Sequence, residues 1–176
     1  YENSVYLSTP LEGRTPDGGK IYFGAGVMNN VPQDGYIYIY GYKDKGGRHL
    51  VVARCLPEDI EDFNKWTYFD GEDFVSDINA CAPLIEGVSA ELSVSYINTG
   101  QFKGKYMCVV MEGTTSGKIS YSLSDTPYGT FGNLNLIYQT MEPWTMKKGV
   151  STYNAKMHPD LSTPGNLFVT YNVNAS

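Results

Sequence analysis

The sequence predicts an all-β protein built from a repeated antiparallel unit, and three observations carry that prediction. Tyrosine is abundant, at 15 residues beside 7 Phe and 2 Trp, and aromatic side chains favour the pleated, half-buried surface of strands. The 19 Gly and 9 Pro supply tight turns between short elements. A glycine-led strand followed by further strand-like runs occurs three times along the chain, which is the signature of a repeat architecture.

The first repeat opens with a strand over Tyr22–Asn30. An Asp34-Gly35 turn then leads into a strand over residues 35–41, rich in alternating Tyr and Ile. After Lys45-Gly46-Gly47 comes a strand over residues 47–54, and Lys65–Gly71 closes the meander. The second repeat has an inner strand over Ala90–Tyr96, a glycine-led strand over residues 104–111, and strands over 117–122 and 135–139. The third has Tyr153–His158 and a glycine-led strand over residues 165–172. The leading glycines Gly35, Gly104 and Gly165 are roughly 60–70 residues apart, a spacing that fits one four-stranded unit per repeat.

Such units arranged radially make a β-propeller. Residues 1–176 therefore read as one partial propeller domain, with blade-like units at about 20–80, 88–142 and 150–176, the last incomplete. Two to three blades fall short of the four to eight that close a ring. The expected partner is thus the remainder of the propeller, on the same polypeptide before cleavage or on a second chain. A self-contained β-sandwich is the alternative.

Composition narrows the partners further. Net charge is −6, with 19 acidic and 13 basic residues and no Lys/Arg cluster, which argues against a nucleic-acid phosphate backbone as ligand. No apolar run approaches the about 20 residues of a membrane span. No leader peptide is legible, although a mature chain would have lost one. Cys55, Cys81 and Cys108 form no CxxC pair, so a metal knuckle is not expected. Cys55 and Cys108 sit in apolar strand runs, where buried thiols are ordinary, with one disulfide as the alternative.

The inner strands carry the candidate site residues. Period-two alternation puts Glu91, Ser93 and Ser95 on one face, with Leu92, Val94 and Tyr96 on the other. It likewise sets Asn154, Lys156 and His158 opposite Tyr153, Ala155 and Met157. A carboxylate between Ala90 and Leu92 is costly to bury without a partner or a raised pKa. Glu91 is therefore a functional candidate, against a solvated or ion-paired strand residue. Asn29 and Asn30 end an inner strand and offer amides to a ligand, or else shape a turn. His49 reads as surface or packing, and Glu112 as an exposed turn residue. No phosphate loop, nucleophile elbow or His-Glu metal motif is present.

The runs Ser89-Ala90-Glu91-Leu92-Ser93-Val94, Gly104-Lys105-Tyr106-Met107 and Ser124-Asp125-Thr126-Pro127-Tyr128-Gly129-Thr130-Phe131 resemble five-bladed propeller glycoside hydrolases of the arabinanase and levansucrase type. Tyr153–Pro159 and Thr170–Asn174 are similar to the last part of related secreted bacterial propeller domains. The resemblance implies the carboxy-terminal part of a five-bladed propeller. It also implies a secreted or cell-surface location, periplasmic or extracellular, and a poly- or oligosaccharide substrate cleaved between carboxylates.

Within that resemblance Glu91 takes the place of the general acid, and Glu86-Gly87 echoes the family's Glu-Gly pair. His158, Lys156, Asn154, Asn30 and Tyr153 are the expected substrate contacts, with His158 lining the central channel. The base and the pKa modulator come from blades this chain does not supply. No cofactor and no metal ligand are expected, although a structural cation in the channel is compatible with the family. A non-catalytic carbohydrate-binding propeller, or a structural or protein-interaction propeller, is the alternative. The Asp125–Phe131 turn is evidence of fold only.

Overall fold

The structure, a computed structural model, describes residue 9 and residues 11–145 and 149–175. Three antiparallel sheets follow one another along the chain. The first contains β1 (Glu12–Arg14), β2 (Lys20–Asn29), β3 (Ile37–Asp44), β4 (Arg48–Cys55), β5 (Thr67–Phe69) and β6 (Phe74–Val75), paired in chain order. The second contains β7 (Leu92–Tyr96), β8 (Tyr106–Met111), β9 (Lys118–Ser124) and β10 (Asn135–Gln139), again in chain order. The third pairs β11 (Val150–Met157) with β12 (Val169–Ala175). Each sheet is a local meander, and among the described residues no strand crosses from one sheet to another. Among the described residues two four-residue α-helices, α1 (Val31–Asp34) and α2 (Glu142–Thr145), and short 3-10 turns lie between the strands.

The sheets stack face to face, and side-chain alternation assigns each face to a core. Tyr38 and Tyr40 of β3, Leu50 and Val52 of β4, Leu92 and Val94 of β7, and Tyr106, Cys108 and Val110 of β8 are buried together between the first and second sheets. The opposite residues of β3 and β4, from Ile39 to Val51, Ala53 and Cys55, pack with Trp66, Tyr68 and Cys81 on the outer face of the first sheet. Met107, Val109 and Met111 of β8 meet Ala155 and Met157 of β11. All six residues of β8 are buried, as period-two alternation requires of a strand covered on both sides.

The long first strands of the three sheets are neighbours in space: β7 packs against both β2 and β11. At the β2–β7 approach the register of β2 shifts between Phe23 and Gly26. A Cβ on Gly26 would come to 3.0 Å from the Leu92 carbonyl oxygen, so a side chain there would press on the β7 backbone, and glycine eases the close approach. Polar ties reinforce the stack. The Asn30 amide donates to the Tyr106 hydroxyl at 3.1 Å, Tyr40 donates to the Pro127 carbonyl at 2.8 Å, and the Met157 N–H donates to Ser93 Oγ at 2.9 Å. Tyr128 of the Asp125–Phe131 turn stacks into an aromatic cluster with Tyr38, Phe69 and Phe74, and Phe131 is buried.

The structure departs from sequence expectation at four places. The Asp34-Gly35 turn is the end of α1, opened by Pro32 and closed by Gly35 in the left-handed region at φ 88°. The short strands β1 and β6 add two members to the first sheet. The last strand runs Val169–Ala175 and not from Gly165, because Thr163 and Asn166 first pair in a tight turn. The alternation along β11 is broken, as described below. The three cysteines are free and buried, and burial pushes the Cys81 and Cys108 thiols up to about 12.

Candidate functional site

Glu91 precedes β7 by one residue and is half-buried. Ser89 Oγ donates to its carbonyl at 2.5 Å, bracing the backbone at the head of the strand. Among the described residues no cation lies within ion-pair range of its carboxylate. The face carrying Ser93 turns toward the third sheet, as the Ser93–Met157 bond shows. Glu91 itself lies in the bend that leads into β7, outside the strand whose alternation sets the Ser93 face.

On β11 a bulge reorders the faces expected from strict alternation. Tyr153 pairs with Asn172 and Lys156 with Thr170, leaving Asn154 and Ala155 opposite Tyr171. Asn154 adopts φ 57°, a left-handed conformation asparagine tolerates better than most residues. The extra residue moves Tyr153 to the same face as Lys156, while Thr152, Ala155 and Met157 point into the core. Tyr153, Lys156, Asn172 and Thr170 therefore line one partly exposed face of the third sheet. His158 joins them through a 2.7 Å hydrogen bond between Nε2 and Thr170 Oγ1, with its ring edge-on to Phe168. The Asn154 side-chain oxygen is buried with no hydrogen-bond partner, a state that native structures rarely leave unfilled.

Asn30 has no exposed surface, and its side-chain oxygen is also buried without a partner. Its backbone carbonyl caps α1 by accepting from Gln33 and Asp34. The structure thus gives Asn30 a bracing position between the first two sheets, apart from the β11 face. Glu86 lies beside β4, with one carboxylate oxygen 4.0 Å from His49 Nε2. Glu112 is half-buried rather than exposed, because its carboxylate accepts from Ser120 Oγ at 2.5 Å. Tyr171 donates to Glu142 at 2.6 Å, tying α2 to β12. That bond holds the Glu142 carboxyl below its usual range and pushes the Tyr171 hydroxyl up.

Sequence reasoning passed over a groove of about 420 Å³ at the β1–β2 ribbon, where Glu12, Arg14, Lys20, Tyr22 and Asn79 converge. Its signal was Glu12-Gly13-Arg14, a charged alternation too short to stand out in the sequence. Among the described residues no group of three or more His, Cys, Asp or Glu is placed to hold a metal ion. Among them also no helix is long and apolar enough to cross a membrane.

A family model described as Domain of unknown function (DUF5005) matches residues 9–176. The chain belongs to that family. No curated protein matches it. The DUF5005 fold seen here is similar to the crystal structure of a Bacteroides ovatus ATCC 8483 protein described as a "putative hydrolase", with a TM-score of 0.66 over 89% of this chain at 18% identity. At that identity the likeness carries the fold alone. This chain spans 39% of that protein's length.

Proposed function

We propose that this protein is part of a carbohydrate-active β-propeller of the secreted or cell-surface type, acting as a glycoside hydrolase with Glu91 as general acid. The observation that carries the reading is the placement of the first long strands of three consecutive meanders side by side, the arrangement that surrounds the axis of a propeller. Similarity to a protein called a hydrolase supports the same direction. The third sheet has two strands where the others have four and six, which supports further strands, on this polypeptide or a second chain, as the partner that continues the ring.

In this reading Glu91 protonates the leaving oxygen, and a second carboxylate from a further blade acts across the bond. Lys156, His158 and Tyr153 offer sugar contacts on the face of β11 turned away from the second sheet and apart from Glu91, the aromatic ring lying against an apolar sugar face. Asn30 fixes the strand arrangement from behind. No cofactor is assigned.

A second reading, binding without cleavage, draws on the same exposed β11–β12 face, which could hold a glycan without any acid. The experiment that separates them measures reducing-sugar release and binding on a panel of plant, microbial and host glycans. Release supports the hydrolase. Binding without release moves the assignment to a lectin-like propeller, and the absence of both release and binding would sink the carbohydrate reading.

A further inference from the structure

Most cations of the first sheet and its turns are engaged by carboxylates or aromatic rings. Lys43 and Lys45 converge on Asp17, and Arg48 reaches Asp44 and Thr114. Arg54 is stacked between the rings of Tyr36 and Phe74. Arg14 and Lys20 are the exception. They face each other directly across the β1–β2 ribbon, and neither has a carboxylate within ion-pair range among the described residues. Like charges directly opposite in an antiparallel pair are destabilising, and a chain of net charge −6 has acidic side chains to spare for neutralising them.

The groove that holds this pair is firmly built. β1 lies close on the 3-10 turn Ile78–Ala80, where a Cβ on Gly13 would meet Ile78 and Asn79 at 3.2–3.3 Å. The Arg14 N–H donates to Asn79 Oδ1 at 2.7 Å. The next cross-strand pair on the same face is Glu12 with Tyr22. The Tyr22 ring is backed by Tyr42 at 5.2 Å, which in turn carries the Arg48 guanidinium. One face thus presents two unpaired cations, a braced aromatic ring and a carboxylate acceptor beside a groove of about 420 Å³.

We infer that this groove binds an acidic saccharide of the uronic-acid class. The sugar carboxylate lies between Arg14 and Lys20, where a charged, forked donor is strongest. The pyranose ring lies on Tyr22, and Glu12 accepts its hydroxyls. A bare phosphate would use the cations but neither the ring nor the acceptor. The inference rests on the carbohydrate reading above but assigns a different site, on the outer ribbon of the first sheet.

The test is calorimetric titration of the protein with hexagalacturonate, with its fully methyl-esterified counterpart and with inorganic phosphate. The acid form should bind, the ester should bind roughly tenfold or more weakly, and Arg14→Gln with Lys20→Gln should cost a similar factor. Phosphate should not displace the oligosaccharide at equal concentration. The double variant should melt no lower than the parent, because a like-charge pair has been removed, and should keep its release of sugar from neutral glycans. Unchanged binding in the folded double variant, equal binding of the ester, full displacement by phosphate, or no binding of hexagalacturonate each overturns the site. Absence of activity and binding across the wider glycan panel would instead sink the carbohydrate reading.

Discussion

The two interfaces between sheets share one strand and differ in everything around it. On one side of β8, Tyr106, Cys108 and Val110 join a buried cluster of 14 residues drawn from both sheets and from the segments that link them. On the other side, Met107, Val109 and Met111 join a smaller buried cluster, to which the third sheet, among the described residues, supplies Ala155 and Met157 with Val169 and Tyr171 partly buried against it. The residues of β8 are equally apolar on both faces, so the difference comes from what is opposite. A two-stranded antiparallel ribbon offers little apolar area, and alone such a ribbon is marginal in water. Most of the exposed large apolar residues follow the same division, among them Leu136, Tyr138, Trp144, Leu161, Phe168 and Val173 in the carboxy-terminal third, whereas Val27, Val31, Leu56 and Ile60 are exposed on the first sheet and its loops. Burial in a stacked-sheet protein is thus a property of a pair of sheets.

The largest effects should break the first interface. Leu92→Ala empties a fully buried site between the first two sheets and should cost about 2–5 kcal/mol in urea unfolding. Met157→Ala removes a side chain from the thinner interface. Its loss should appear first as faster amide exchange in β11 and β12, with β3, β4 and β8 still protected. If both variants lower protection equally across all three sheets, the contrast between the interfaces is wrong.

A smaller effect sharpens the link to the third sheet. Ser93→Ala deletes the acceptor of the Met157 N–H and should cost about 1 kcal/mol, read as faster exchange at Met157. No change at that amide would mean that packing alone holds β11 in place.

The smallest effect lies in the loop before β2. Asp17 accepts from the Thr15 hydroxyl and pairs with Lys43, and these contacts hold its carboxyl well below the usual range. A lowered folded value contributes stability that is present above the unfolded value near ~4 and is lost as pH falls through the folded one. Asp17→Asn should therefore lower the melting temperature slightly at neutral pH, and the gap should close in strong acid. A gap that persists at the most acid pH at which the fold survives would assign the effect to something other than ionisation.

Most of the strands were legible in the sequence because their residues carry the signal themselves. Tyr-Ile alternation marks β3, and an unbroken apolar run marks β8. The elements that escaped take their structure from neighbours. Glu12-Gly13-Arg14 becomes β1 only because β2 offers an edge and Gly13 fits against Ile78. Phe74-Val75 becomes β6 by pairing with β5. For the candidate site, the neighbouring inner strands followed from the repeat, whereas the face of Tyr153 did not. That face depends on one bulge at Asn154, and a backbone angle there reverses every side chain after it. The bracing position of Asn30 was hidden for a related reason, since its partner Tyr106 is far away in the chain.

The most direct test of the central claim is reducing-sugar release by the protein beside its Glu91→Gln and Glu86→Gln variants, on whichever glycan the parent degrades. The account predicts that Glu91→Gln loses about 100-fold or more of the rate, the scale of positioned acid catalysis. Glu86→Gln, beside His49 on the edge of β4, should keep nearly all of it. Full activity in folded Glu91→Gln would contradict the account.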